Sequence, residues 1–258
     1  MFLLADFPNF ADPAVITSLL TLTVLELILG VDNIIFISIV SNKLPVEQQP
    51  RARIIGLILA LVFRIILLLT ITWIIRLTEP VFTIGFLPGE NGEGLGISWK
   101  DIILIAGGIF LVFKSTLEIH HKMEIPDSTA KKTKAPTGFA AVILQIVLVD
   151  AVFSFDSILT AIGLVENVMI MIIAVVISMI LMMVFAGAIS NFINKHPTLQ
   201  ILALSFLIMI GVMLVAEGFH QEINKAYIYT AIAFSLIVEL INMRFRKKQT
   251  IELNNKEL

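Results

Sequence analysis

Seven long blocks of apolar residues constrain the fold of this chain more than any other feature of its sequence. They lie at about residues 14–40, 54–76, 101–118, 139–163, 168–190, 200–217 and 227–243. Runs of about 18 or more apolar residues predict transmembrane helices, because that length crosses the hydrocarbon core of a bilayer. Charged residues make up only 15 % of the chain, whereas a globular domain has about 25 %. The sequence therefore predicts an all-α, polytopic membrane protein with about seven transmembrane helices.

The basic residues between these blocks are distributed unevenly and predict an orientation. When Arg64 and Lys114, which lie inside blocks, are set aside, 13 Lys and Arg residues fall on one side of the membrane. The other side holds only Arg76, Lys100 and Lys225. Because Lys and Arg concentrate in cytoplasmic loops, we expect a multi-pass protein of the cell membrane with its N-terminus outside and its C-terminus in the cytoplasm.

Two short stretches match each other at a fixed offset, which indicates an internal repeat. Glu26–Ile34 (E-L-I-L-G-V-D-N-I) and Asp150–Ile158 (D-A-V-F-S-F-D-S-I) both contain an acid, five residues, an acid, a small polar residue and Ile. The sequence predicts one transmembrane domain with a repeat at about 14–118, a second at about 139–217 and an added helix at about 227–243. Because each repeat has three spans, the copies would insert as inverted repeats, which are typical of secondary transporters.

The matched stretches place four carboxylates inside the first and fourth spans: Glu26, Asp32, Asp150 and Asp156. Each would cost about 2.5–3.5 kcal/mol at a helix centre. The two basic residues inside spans, Arg64 and Lys114, cannot neutralise four acids. Intramembrane acids of this kind face a cavity, pair with one another or bind an ion. The excess of acid therefore predicts that protons or a cation occupy the site.

The spacing of the acids predicts their heights in the membrane. Six residues span about 9 Å along a helix. Antiparallel repeats would therefore place the acids level in two pairs, Glu26 with Asp156 and Asp32 with Asp150. Because residues six apart point about 120° away from each other on an ideal helix, we expect local breaks at Gly30 and Ser154 that turn all four acids inward.

The side chains around these acids favour oxygen ligands. Asn33 and Ser157 directly follow the second acid of each motif, and they supply an amide and a hydroxyl oxygen. The chain contains no Cys, and its four His residues lie near span ends. Oxygen-only sites suit hard divalent cations such as Mn²⁺, Mg²⁺ or Ca²⁺. The pattern excludes a thiolate-rich or His-rich metal site.

The two motifs resemble the paired signatures of the TerC family of membrane proteins. Gly107–Lys114 (G-G-I-F-L-V-F-K), Glu217-Gly218 and Tyr229–Ser235 (Y-T-A-I-A-F-S) resemble that family too. The family is similar in architecture to the LysE exporter superfamily, and several members are linked to manganese export. The resemblance implies a secondary exporter of a metal ion, foremost Mn²⁺, which is a substrate and not a permanently bound cofactor. It implies a metal site formed by Glu26, Asp32, Asn33, Asp150, Asp156 and Ser157.

Three further charged residues allow two interpretations each. Arg64 either forms a structural ion pair or acts as a counter-charge that occupies the acids when the metal leaves. Lys114 lies four residues before Glu118, and it either snorkels as a structural residue or takes part in gating. Glu217, at the outer end of the sixth span, is either a gate residue or a surface acid.

Two other functions fit the same sequence. The chain could be a proton-coupled exporter of a small organic cation or amino acid, or a non-transporting membrane scaffold whose acids hold the helices together. We expect no enzymatic activity, because the sequence has no nucleophile–base pair, no HExxH motif and no Gly-rich phosphate loop. The expected partners are the lipid bilayer and a divalent metal ion, with no nucleic acid, and self-association into a homo-oligomer stays open.

Overall fold

The computed structural model describes residues 8–70, 77–88, 94–123, 138–165, 167–221 and 223–246, without the side chains of Val31, Asp32, residues 86–88 and Arg246. Within these ranges seven helices are long and apolar enough to cross a membrane, which confirms the predicted number of spans. The helices are α1 (Pro13–Ser41), α2 (Gln49–Leu69), α3 (Trp99–Met123), α4 (Phe139–Ile162), α5 (Val168–Asn194), α6 (Pro197–Gly218) and α7 (Lys225–Arg246).

Local sequence signals fix several helix ends. The Asp12 side chain accepts a hydrogen bond from the Ala14 amide at the start of α1, and Pro13 fits the first helical position, where its missing N–H costs nothing. Asn167 caps α5 in the same way. The described part of α2 ends at Leu69 with Thr70 as its cap, and the predicted end of that span at residues 71–76 lies outside the described residues.

A short β-hairpin, which the hydropathy pattern does not predict, connects the second and third helices. Strand β1 (Pro80–Pro88) pairs antiparallel with β2 (Gly94–Ser98). Leu95 and Ile97 of β2 are buried. The backbone amide and hydroxyl of Ser98 donate to Asp101 Oδ2 at 2.8 and 2.6 Å, so the hairpin leads directly into a capped first turn of α3.

Helices α1 and α5 pack in parallel along most of their lengths. Gly30 of α1 provides space for Met182, because a Cβ on Gly30 would lie 2.5 Å from the Met182 sulfur. Further along, the hydroxyl of Ser38 donates to Ser190 at 2.7 Å. Both α1 and α4 are continuous through Gly30 and Ser154, so the predicted local breaks at these residues are wrong.

Helices α3 and α6 cross in close contact at two glycines. A Cβ on Gly108 would lie 2.5 Å from the Gly211 carbonyl oxygen, and a Cβ on Gly211 would lie 2.8 Å from the Gly108 carbonyl oxygen. Small residues at such crossings let helix backbones approach closely in membrane proteins. Helix α7 is less buried than the other helices. It packs against α6, and none of its described residues is buried.

The helix contacts follow a regular pattern when the chain is divided into α1–α3 and α4–α6. Helix α1 packs against α5, and α2 packs against α4. These two contacts interchange when the two halves are swapped. The third helices of both halves, α3 and α6, pack against each other. The inverted repeat itself stays a prediction.

Candidate functional site

A single buried guanidinium joins the first acids of the two motifs. Arg64, on α2, is 3 % exposed. Its Nε and Nη2 donate to the two oxygens of Asp150 at 3.2 and 2.8 Å, and its Nη1 donates to Glu26 Oε2 at 2.5 Å. The structure therefore contains the ion pair that one interpretation of Arg64 predicted, and the role of counter-charge stays a prediction.

Asp150 is the most heavily hydrogen-bonded acid of this cluster. Besides both contacts with Arg64, it accepts a hydrogen bond from Asn33 Nδ2 at 3.2 Å and one from the Ser154 hydroxyl at 2.9 Å. Ser154 lies one helical turn after Asp150 on α4, so its hydroxyl reaches the carboxylate within the same helix. The cluster has two carboxylates for one guanidinium, which leaves one negative charge in excess when both acids are ionised.

Asp156 has a different basic partner from Asp150. The Lys225 amine, at the first position of α7, donates to both oxygens of Asp156 at 2.6 and 2.7 Å. In the structure Arg64 contacts Glu26, whereas Lys225 contacts Asp156. That Glu26 and Asp156 lie at one height stays a prediction. The sequence pattern did not mark Lys225 as a site residue, because it lies among the basic residues between the apolar blocks. Its signal was its place at the outer end of the seventh span, the end where the predicted topology puts Asp156.

A small cavity of about 20 Å³ lies between the Arg64 cluster and the Asp156–Lys225 ion pair, because both Arg64 and Asp156 line it. That volume is enough for about one water-sized occupant. Its lining includes Leu29, Asn33, Arg64, Phe153, Asp156, Ser157, Ile210, Met213 and Tyr229. Asn33 is 3 % exposed, and its Oδ1 has no hydrogen-bond partner among the described residues. A buried amide oxygen without a donor is costly, and it would be satisfied by a cation or a water in this cavity.

The structure brings most of the predicted metal ligands together. Glu26, Asn33 and Asp150 meet around Arg64, while Asp156 and Ser157 line the adjoining cavity. The side chain of Asp32 lies outside the described residues, so its place in the site stays a prediction. Among the described residues, no group of three or more His, Asp or Glu side chains is close enough to hold a metal ion.

Two of the predicted gate residues lie at opposite ends of the bundle. Glu217 lies 3.8 Å from the Lys100 amine and 3.7 Å from the Lys225 amine. It also lines a polar pocket of about 290 Å³ with Asp101 and His220. Lys114 lies half-buried on α3, and the ion pair of its neighbour Glu118 is with Lys43. Through Lys225, Glu217 is thus two ion pairs away from the small cavity that Asp156 lines. Among the described residues, no ion pair links Lys114 to this series.

Seven apolar helices around a buried acid–base cluster define a polytopic integral membrane protein. Residues 11–251 match the family described as "Integral membrane protein TerC family", and the chain belongs to that family. The resemblance inferred from the two acidic motifs is therefore confirmed.

Curated relatives share this region of sequence. The chain is 45 % identical over 236 residues to the UPF0053 inner membrane protein YoaE of Escherichia coli (strain K12), covering 92 % of this chain and 44 % of the relative. It is 42 % identical over 246 residues to the UPF0053 protein YegH of the same strain, covering 95 % of this chain and 45 % of the relative.

A third relative has nearly the same length as the matched region. A UPF0053 protein of Haemophilus influenzae is 43 % identical over 241 residues, covering 93 % of this chain and 98 % of that protein. The chain spans less than half the length of YoaE and YegH. No solved structure gives a significant match.

Proposed function

We propose that this chain is a secondary membrane transporter that exports a divalent cation, with Mn²⁺ as its foremost substrate. The observation that carries the proposal is Asn33 Oδ1, a buried oxygen without a partner among the described residues, beside a cavity that Asp156 and Ser157 also line. Amide, carboxylate and hydroxyl oxygens are the ligands that hard divalent cations prefer. The Asp32 carboxylate, which directly precedes Asn33, would add a further ligand.

The charge of the cluster supports a cation as the substrate. One guanidinium faces two carboxylates, so the Arg64 cluster carries one negative charge in excess when both acids are ionised. An uncompensated charge inside a bilayer is costly, and a bound cation would neutralise it. We infer that Arg64 acts as the counter-charge of the substrate-free state, holding Glu26 and Asp150 until a cation approaches from the cavity.

The packing of the helices supports an alternating-access mechanism built on inverted repeats. Helices α1 and α4 run antiparallel, because Asn33 meets Asp150, whereas Leu20 and Thr21 line one groove with Asp156 and Thr160. The α1–α5 and α2–α4 contacts interchange when the halves are swapped. Secondary transporters with inverted repeats rock one unit against the other around a site at their interface. The contact of Asn33 on α1 with Asp150 on α4, one helix from each half, supports a site between the halves.

Metal content of cells tests the transport step directly. We expect expression of the wild-type chain to lower intracellular Mn²⁺, measured beside Mg, Ca, Fe and Zn, and Asp156→Asn to abolish the effect. Glu118→Gln is the matched control, because Glu118 is a buried, ion-paired acid outside the cluster. Unchanged contents of all five metals with wild-type protein would refute divalent-cation export.

Thermal melts of detergent-purified protein test binding at the site. A ligand at 100 times its Kd stabilises the folded state by about 2.7 kcal/mol, which corresponds to a rise in Tm of roughly 5–10 °C for a chain of this size. We expect that rise for wild type with Mn²⁺ and a smaller one for Asp32→Asn and Asp156→Asn. Equal shifts in all three proteins would favour the scaffold function instead.

A second candidate substrate is a small organic cation. A groove of about 600 Å³ borders Asp156 and Lys225, and its other lining residues are mostly apolar side chains of α1. An organic ammonium ion could place its charge on Asp156 and its apolar part in this groove. Thermal stabilisation by a hydrophobic quaternary ammonium ion, lost in Asp156→Asn and absent with Mn²⁺, would favour this substrate.

We place the chain in the cell membrane with its N-terminus outside, on the basis of the uneven distribution of Lys and Arg. The name of the YoaE relative, an inner membrane protein, supports that location. Because the chain has no Cys, single cysteines report topology cleanly. We expect Thr83→Cys, on the exposed hairpin, to react with an impermeant thiol reagent in intact cells. Lys195→Cys, beyond α5, should react only after the cells are opened, and the reverse result would invert the topology.

A further inference from the structure

Lys225 shares an acid with the candidate cation site and has a second acid within reach. Its amine contacts both oxygens of Asp156 at 2.6 and 2.7 Å. The same amine lies 3.7 Å from Glu217 Oε2. The Lys225 side chain is 27 % exposed and that of Asp156 13 %, so this ion pair lies at the edge of the packed bundle.

The helix that carries Lys225 is the least firmly packed of the seven. None of its described residues is buried, and local opening costs least where few apolar contacts are buried. Lys225 is also the first residue of α7, where the helix dipole disfavours a positive charge. The amine is held by the two carboxylates and by a longer contact with the Thr160 hydroxyl at 3.5 Å. A shift of α7 would therefore move the amine with little loss of packing.

An ammonium and a divalent cation compete for the same carboxylate oxygens of Asp156. We propose that Lys225 is the gate residue of the cation site: its amine occupies Asp156 when no cation is bound and transfers to Glu217 when a cation enters. This inference rests on the proposed function. The 3.7 Å distance to Glu217 means that the displaced amine keeps an acidic partner throughout the exchange.

Lys100 provides a matched control for Lys225. It lies 3.8 Å from Glu217, its side chain is also 27 % exposed, and it carries the same charge. Among the described residues, Lys100 forms no ion pair or hydrogen bond with Asp156. A variant at Lys100 therefore reproduces the change in surface charge without removing a competitor from the cation site.

The experiment is a Mn²⁺ titration of the purified full chain, followed by the electron paramagnetic resonance signal of free Mn²⁺. We expect Lys225→Gln to tighten Mn²⁺ binding about tenfold, because the cation no longer displaces an amine. Lys100→Gln should change the apparent Kd by less than about twofold, since it removes only a distant, partly screened charge. Lys225→Arg should bind like wild type, because it restores a cation at Asp156.

Chemical restoration of the charge separates gating from a folding defect. On Lys225→Cys, whose thiol is unique in this chain, aminoethyl methanethiosulfonate attaches an ammonium group and should weaken Mn²⁺ binding to the wild-type level. Methyl methanethiosulfonate attaches an uncharged group and should leave the tight binding unchanged. A loss of folding would not produce tighter binding that a restored charge reverses.

The outcomes distinguish the gate from the function on which it rests. If Lys225→Gln binds Mn²⁺ no more tightly than Lys100→Gln, while Asp156→Asn weakens binding relative to wild type, the cation site stands and the gate is overturned. If wild type does not bind Mn²⁺, or Asp156→Asn binds it as wild type does, the proposed site fails and the gate fails with it.

Discussion

Two acid–base centres lie side by side in this molecule, and they differ in how firmly each is held. At Arg64, a guanidinium from α2 contacts acids on α1 and α4, and all three side chains are nearly inaccessible. At Lys225, an amine contacts Asp156 and lies 3.7 Å from Glu217, and all three side chains are partly exposed. We infer from this difference that the acids of the two motifs have different roles: the Arg64 centre would fix the helices, and the Lys225 centre would exchange its partner.

The largest effect should follow from removing Arg64, the base of the buried centre. Arg64→Met leaves two carboxylates buried without their cation, and breaking such a pair costs about 3–5 kcal/mol. We expect a drop in Tm of more than about 6 °C in detergent, or failure to accumulate in the membrane.

The matched control for Arg64→Met removes the acids as well. Adding Glu26→Gln and Asp150→Asn should recover much of the lost stability, because no unpaired charge is then buried. A melt of Arg64→Met within about 2 °C of wild type would show that the cluster does not hold the helices.

A smaller effect on stability should distinguish Asp150 from Glu26, the two acids that contact Arg64. Asp150→Asn disturbs a carboxylate that accepts from Arg64 twice, from Asn33 and from Ser154, whereas Arg64 donates one hydrogen bond to the Glu26 carboxylate. Hydrogen bonds to charged groups contribute about 1.5–3 kcal/mol each. We expect Asp150→Asn to lower the free energy of unfolding by about 3 kcal/mol. Glu26→Gln should cost less than half as much, because it leaves Arg64 paired with Asp150 and removes the excess negative charge. Equal losses in thermal or denaturant melts would contradict this ranking.

Much of the architecture could be predicted from the sequence, because hydropathy and acid spacing are local properties. The number of spans and the four acids in the first and fourth spans need no tertiary information. The basic partners of Glu26 and Asp156 cannot be predicted without tertiary information. The spacing of acids gives their height along the membrane, but the partner depends on how each helix is rotated and on where α2 and α7 lie.

The hairpin that was not predicted and the break at Gly30 that was wrongly predicted have similar causes. The strands are short and lie between two apolar helices, so helix-length hydropathy windows do not detect them. At Gly30 the sequence shows only a residue without a side chain. The structure shows that this space is filled by Met182 from α5, a contact across 152 residues that no local pattern contains.

The smallest effect on stability should come from removing Lys225, the base of the partly exposed centre. High salt should sharpen the contrast with Arg64. An ion pair near the surface contributes about 0–1 kcal/mol, so Lys225→Gln should shift the Tm by no more than about 4 °C. Raising the ionic strength to about 1 M shortens the screening length to about 3 Å. Wild type should then approach Lys225→Gln in stability, because the Asp156 pair is partly open to solvent, whereas the difference between wild type and Arg64→Met should persist. If salt reduced both differences equally, the two centres would be equally accessible, and the distinction between a fixed and an exchangeable base would fail.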